Sequence, residues 1–171
     1  MKHPSKAVLV ATMLLALGRG SFAAAQQADT DPAASHQQLL SVNPFGYVFE
    51  WYNVEYERKL RPGTTLGFTA SYATPSDERI GAAIAILRFY PQGTAFKGFY
   101  VGGRTGAYFV DDINDDGVFF GAGVEIGYTW LLGANKNWYI GMGGGVTRIF
   151  GATDGPTVIP QIRFVNFGYS F

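Results

Sequence analysis

Few side chains in this sequence could do chemistry, and their spacing decides which kind. Glu55 and Glu57 stand two apart in WYNVEYERKL, while Arg88, Arg104 and Glu125 are isolated charges in apolar or glycine-rich stretches. Two carboxylates at alternate positions could serve as an acid–base pair. Charges of both signs among apolar residues read first as ion pairs, because an unpaired buried charge is costly. DINDDG opens like a calcium loop, with Asp112, Asn114 and Asp116 at alternate positions and Gly117 at the sixth. The twelfth position, where a Glu should close such a loop, is Gly123. The stretch therefore reads as a polar turn, with weak divalent-cation binding as its only metal chemistry. Of the two histidines, His3 lies near the start and His36 in a polar, Pro-containing stretch. No Ser–His or Asp–His arrangement is expected on the elements that follow, so no catalytic residue and no cofactor site is assigned. With no Cys in the chain, thiolate chemistry and a disulfide scaffold are excluded.

The elements that must position these residues are strands. From Gln38 onward the pattern has period two, with no sustained helical spacing and no apolar run long enough to span a bilayer as a helix. In Val118–Leu131, Val118, Phe120, Val124, Ile126, Tyr128 and Trp130 share one face, and Gly121, Gly123, Glu125, Gly127 and Thr129 share the other. Strands are expected at 39–48, 52–60, 65–72, 80–90, 98–110, 118–131, 138–150 and 158–171, joined by turns such as RPGT. Most have the length a tilted membrane strand needs, and none needs a long crossover. The fold class is therefore all-β: an eight-stranded antiparallel up-and-down transmembrane β-barrel over residues 38–171. Aromatics should gather in two belts at the strand ends. Trp51, Tyr52, Tyr72, Tyr108, Phe109, Phe119, Phe120 and Phe150 fall at one end. Phe89, Tyr90, Phe99, Tyr100, Tyr128, Trp130, Trp138, Tyr139, Tyr169 and Phe171 fall at the other. With large apolar faces outward, Glu55, Glu57, Arg88, Arg104 and Glu125 form an interior ion-pair cluster. Glycines such as Gly102, Gly121 and Gly141 leave room for Arg and Tyr. Eight strands enclose a space that side chains can fill, so a structural plug is expected, with a narrow ion path as the alternative.

The chain of 171 residues suffices for one domain. Lys2, His3 and Lys6, the apolar run Ala7–Leu17 and the small residues Ala23–Ala25 mark residues 1–25 as a signal peptide cleaved after Ala25. Residues 26–37 read as a flexible periplasmic lead-in. Removing the signal leaves 10 basic side chains of 13 against 13 acidic ones, which gives no reason to expect nucleic acid as a partner.

The last eight residues, FVNFGYSF, place Val165, Phe167, Tyr169 and Phe171 at alternate positions. This pattern resembles the C-terminal assembly signal of bacterial outer-membrane β-barrels. The resemblance implies recognition by the barrel-insertion machinery, outer-membrane lipid as the surroundings, and a place in the Gram-negative cell envelope. The whole mature chain looks like the small eight-stranded barrels, the class of the OmpA membrane domain and OmpX. The stretches SVNPFGYVFEWYNVEYERKL, LRFYPQG and GFYVGGRTGAYF are similar to a family of small outer-membrane barrels that carries no settled activity. Enzymes among outer-membrane barrels generally lean on a His acid or base, and none is expected on these strands. A monomer with a structural or surface-interaction role is expected, without catalysis. The alternative class is a secreted, lipocalin-like barrel with its faces inverted around an apolar ligand.

Overall fold

The computed structural model describes residues 31–74, 79–111, 116–151 and 157–171. A four-residue helix, α1 (Pro32–Ser35), precedes β1 (Gln38–Val42). A 3-10 helix, Pro44–Phe49, leads into β2 (Trp51–Arg61). There follow β3 (Thr64–Ala73), β4 (Arg79–Phe89), β5 (Gly98–Asp111), β6 (Asp116–Leu132), β7 (Trp138–Phe150) and β8 (Thr157–Ser170). Consecutive strands pair antiparallel, and β1 pairs with β8 to close the barrel in the order of the sequence. The fold is thus the all-β, eight-stranded antiparallel up-and-down closed barrel that the period-two pattern predicts.

The tightest connection is Pro62–Gly63. Pro fixes the first corner and Gly63, at φ +69°, takes the left-handed second corner of a type II turn. This turn, residues 90–97 and residues 133–137 lie at one end of the barrel, here the turn end. The chain approaches β1 and leaves β8 at this same end.

β1 is shorter than expected. Sequence alternation predicts a strand over 39–48, but pairing stops at Val42, and Pro44, which has no N–H to give a ladder, opens the 3-10 helix. β1 meets β8 only along Leu39–Val42, opposite Phe167–Ser170.

Large apolar side chains face outward on every strand. Val54, Phe68, Leu87, Phe109, Val124, Met142 and Ile162 are all 44–68% exposed. The inverted, ligand-enclosing arrangement is therefore not the one adopted. Trp51, Tyr52, Tyr72, Phe109, Phe120 and Phe150 are exposed towards one end, and Phe89, Phe99, Tyr128, Trp130, Trp138, Tyr169 and Phe171 towards the other. Five aromatics assigned to the belts do not belong there. Tyr90, Tyr100 and Tyr139 are buried in the interior. Tyr108 packs on the buried face of β4, and Phe119 is half-buried on the glycine face of β6. Strand parity decides this: neighbouring aromatics such as Phe99 and Tyr100 must point to opposite faces.

Of the expected lead-in, residues 31–37 are folded against the barrel; residues 26–30 and the expected signal peptide with its cleavage after Ala25 lie outside the described residues. Asp31 caps α1 through its side chain to the Ala33 N–H at 3.0 Å. Ala33 is buried with Leu39, Ala95, Phe96, Leu131 and Tyr139 across the turn end. Lys59 Nζ donates to the Ala34 carbonyl at 2.6 Å, and Lys97 contacts Asp31. The Gln37 and Gln38 amides donate to the Phe171 carbonyl at 2.9 and 2.8 Å. A short polar segment folds here because the barrel mouth supplies both an apolar seat for Ala33 and partners for its polar groups.

Candidate functional site

The interior charges meet at the middle of the barrel. β2 alternates, so Glu55 and Glu57 share the inner face while Val54 and Tyr56 point away. β4 brings Arg88, which is 1% exposed. Its Nη1 donates to Glu55 Oε1 at 2.8 Å and also meets Glu57 Oε1, and its Nε donates to Glu125 Oε1 at 2.5 Å. One guanidinium thus joins carboxylates from two other strands, which its forked donors allow and a point-charge ammonium would not. Thr65 Oγ1 donates to Glu57 Oε2 at 2.7 Å and Thr69 Oγ1 to Glu55 Oε2 at 3.2 Å. The Arg88 guanidinium also lies 4.8 Å from the centre of the Tyr100 ring, within cation–π range.

All five residues of the expected cluster come together, with Arg104 the loosest. Its Nη1 lies 3.4 Å from Glu125 Oε2. A sixth member, Arg163 of β8, joins them, one that strict alternation of the sequence does not place inside. Its Nη2 meets Glu55 Oε1, and with the Asn166 amide turned to present its oxygen, Arg163 Nε and Nη2 both reach that oxygen at 2.9 Å. A β-bulge accounts for the omission. Gly141 pairs with Asn166 but Gly143 pairs with Arg163, so β8 carries one extra residue against β7. Strict alternation counted back from Phe171 would turn Arg163 outward with Phe167. The bulge turns it inward, beside Glu55. The layer then holds three guanidiniums, Arg88, Arg104 and Arg163, and three carboxylates, Glu55, Glu57 and Glu125, so its formal charges cancel.

Glycine makes the layer possible. A Cβ on Gly102 would lie 3.1 Å from Glu125 Cγ and 3.2 Å from Arg88 Cγ. A Cβ on Gly67 would lie 2.9 Å from Glu57 Cγ, and one on Gly141 2.7 Å from Tyr139 Cζ. Gly127 and Gly143 give the same clearance to the Tyr100 hydroxyl. Towards the turn end, Tyr90, Tyr100 and Tyr139 are at most 1% exposed, and Phe96 is fully enclosed beneath them. Phe96 holds φ +63°, a conformation costly for a bulky side chain. Burial of its ring and the Thr129 hydroxyl donating to its carbonyl at 2.9 Å keep it there. Among the described residues the interior is packed with ion pairs, tyrosines and Phe96.

Contrary to expectation, a Ser–His pair does form. Ser170 Oγ lies 2.7 Å from His36 Nδ1, joining the folded lead-in to the end of β8. Its geometry is that of a clasp. Ser170 has no exposed surface, and its Oγ also lies within 3.1 and 3.2 Å of the Lys136 and Asn137 carbonyls. Burial lowers the affinity of His36 for a proton.

Among the candidate metal ligands, Asp112 and Asn114 lie outside the described residues. Asp116 opens β6 opposite Asp111, and Gly123 is an inner position of that strand. Among the described residues, no group of three or more His, Cys, Asp or Glu could hold a metal ion. In the C-terminal pattern, Phe167, Tyr169 and Phe171 are exposed on one face, but the bulge takes Val165 out of the alternation. Val165 is half-buried, while Phe164 is 62% exposed.

No family model matches the chain, and no curated protein matches it. Among solved structures it is similar to the Yersinia pestis outer membrane protein Ail in a phospholipid bilayer nanodisc. The two share 11% identity over 80% of this chain and 100% of that one, with a TM-score of 0.44. A likeness this distant carries no argument about the role of this chain.

Proposed function

We propose that this chain is an integral β-barrel of the bacterial outer membrane, structural or surface-interacting in role and without catalysis. The observation that carries the reading is the girdle of large apolar and aromatic side chains around a closed barrel with charges inside. In water such a surface would cost solubility. In lipid it is what a spanning barrel requires, since closure satisfies the backbone and aromatic rings settle at the interfaces. The turn end, with residues 31–37 docked, faces the periplasm, and the opposite loops face outward. Glu50, Asp111 and Asp116 lie at that opposite end beside Arg79, whereas the turn end carries Arg58, Lys59, Arg61, Lys97 and Lys136 beside Asp31. The packed layer around Arg88, Tyr100 and Tyr139 favours a plug over a narrow ion path. Assembly by the barrel-insertion machinery and a monomeric state belong to the same reading.

The test is fractionation of cells expressing the chain, with each fraction run on a denaturing gel with and without boiling. Recovery in the outer membrane with a heat-dependent mobility shift is expected. Recovery as a soluble periplasmic protein refutes the reading.

A further inference from the structure

One feature of the outer surface is unlike the rest of the girdle. Near the turn end, Tyr56, Arg58, Lys59, Leu60, Leu66 and Phe68 line an open groove of about 430 Å³ across β2 and β3. Ladder pairing fixes its layout. Tyr56 stands opposite Phe68, and Arg58 stands opposite Leu66. The Tyr56 hydroxyl is drawn sideways to Gln38 Oε1 at 2.8 Å, so its ring forms a wall and not a cover. Phe68 is 56% exposed and lies in mid-strand, outside both aromatic belts.

Arg58 is the unusual member. Its parity with Val54 and Tyr56 points it out of the barrel, away from the Glu55–Glu57 face. Among the described residues it makes no hydrogen bond or ion pair, whereas Lys59 is bound to the Ala34 carbonyl and Arg61 Nε reaches Thr64 Oγ1 at 3.3 Å. A guanidinium on an apolar wall at the edge of the girdle, with no carboxylate to answer it, suits an anion delivered from the lipid side. Its fork matches a phosphodiester, and the wall of Leu60, Leu66 and Phe68 suits hydrocarbon. The groove has room for a headgroup together with the first methylenes of its chains.

We propose that this groove binds a membrane phospholipid, with Arg58 holding the headgroup phosphate and Leu66 and Phe68 bordering the proximal acyl chain. The proposal rests on the membrane reading above, and orientation with the turn end inward makes the ligand a lipid of the periplasmic leaflet. Arg148, an outward arginine near the opposite end, is the contrast. It sits 5.6 Å from the centre of the Phe150 ring, outside this groove.

The experiment is native mass spectrometry of the full chain, folded in detergent, stripped of lipid and titrated with phosphatidylglycerol. Wild type is expected to take up one lipid ahead of the rest. Arg58→Gln should weaken that first adduct by roughly fivefold, the effect of one basic residue at a lipid headgroup, and Arg148→Gln should leave it unchanged. Leu66→Trp, which fills the groove and keeps the charge, should weaken it as well. Glycerol phosphate at the same concentration should not displace it. Equal loss in both arginine variants, or no loss in either, means adventitious annular lipid only and overturns the site. Full displacement by glycerol phosphate means a free-phosphate site and also overturns it. Each variant is checked for the heat-dependent mobility shift. A wild-type chain without that shift sinks the membrane reading itself, whereas a shifted chain without a selective adduct sinks only the groove.

Discussion

Replacing Arg88 by Met tests whether the interior layer holds the barrel together. The change keeps most of the volume and removes the cation that Glu55, Glu57 and Glu125 share. The three carboxylates are not left equally bare. Glu55 keeps Arg163 and Glu125 keeps Arg104, but Glu57 is left with the Thr65 hydroxyl alone. Breaking a buried pair from one side costs about 3–5 kcal/mol, because the abandoned charge stays out of water. Most of that cost should sit on Glu57. Glu57→Gln alone should cost about 1–3 kcal/mol. In the Arg88→Met background the same change should restore about 2 kcal/mol, because it removes the stranded charge. Arg88→Lys should fall between wild type and Met, since an ammonium cannot reproduce the separate Nε and Nη1 contacts. The assay is urea unfolding of chain folded into lipid vesicles, followed by tryptophan fluorescence and by mobility without boiling. If Arg88→Met lies within about 1 kcal/mol of wild type, or the two changes simply add, the layer does not carry stability in this way.

Three further predictions concern the outer face, the clearance around Tyr139 and the docked segment. Val124 is 61% exposed on β6, so Val124→Arg should cost about 2–4 kcal/mol of folding free energy in lipid, read as reduced insertion into vesicles. An unchanged yield would mean that this face does not meet hydrocarbon. Gly141→Ala would drive its Cβ into the Tyr139 ring, costing about 1–3 kcal/mol. Because Tyr139 supplies all three of the nearest clashing atoms, Tyr139→Leu in the same chain should recover most of the loss in urea unfolding, and failure to do so would place the strain elsewhere. Docking of residues 31–37 should weaken on acidification. Burial holds His36 below its ordinary 6.5, with the Asn135 backbone opposing, Lys59 lowering it further and Asp31 opposing, so the undocked segment binds the proton more readily. Docking is therefore full above that value and declines as pH falls below it. The Lys97 hydrogen bond holds Asp31 below 3.8, which adds a second loss in stronger acid. Corrected for the intrinsic slowing of exchange with acid, hydrogen-exchange protection at 31–37 should fall as pH drops below 6.5 in wild type and lose that step in His36→Gln. An identical profile in the two would exclude His36 as the titrating group.

The sequence shows some of this architecture plainly and hides the rest for identifiable reasons. β6 is legible because its glycines and Glu125 fall at one parity and its large apolar residues at the other, so the pattern alone tells inside from outside. β4 is harder. Ile84 and Ile86 face the interior while Leu87 and Phe89 face out, so both faces are apolar, and only Arg88 marks the inner one. The end of β1 is hidden by FGYV at 45–48, where Phe45 and Tyr47 continue the alternation past Pro44 although the ladder does not. The docked segment was hidden because its polar composition says only that it has no core of its own. Its seat is assembled from Leu39, Phe96 and Leu131, far apart in sequence.

Arg163 is the most instructive omission, because the bulge that hides it also reverses the parity of β8 within its ladder with β7. At its C-terminal end β8 must match β1 through Phe167–Ser170, with Phe167 and Tyr169 outward. β7 pairs with it along that same stretch and also beyond the bulge, where Ile162 and Phe164 are outward. Those two sets have opposite parity, and a strand of regular period cannot satisfy both. One extra residue at Phe164–Val165 resolves the conflict, since a single-residue slip moves every side chain beyond it to the other face. It also gives an inner-facing spacing of three, from Arg163 to Asn166, which lets the Asn166 amide oxygen reach back to the guanidinium. Without the bulge the interior would hold Glu55, Glu57 and Glu125 against only Arg88 and Arg104, and a cation would sit in the girdle. The register of one strand thus sets the charge balance of the whole layer.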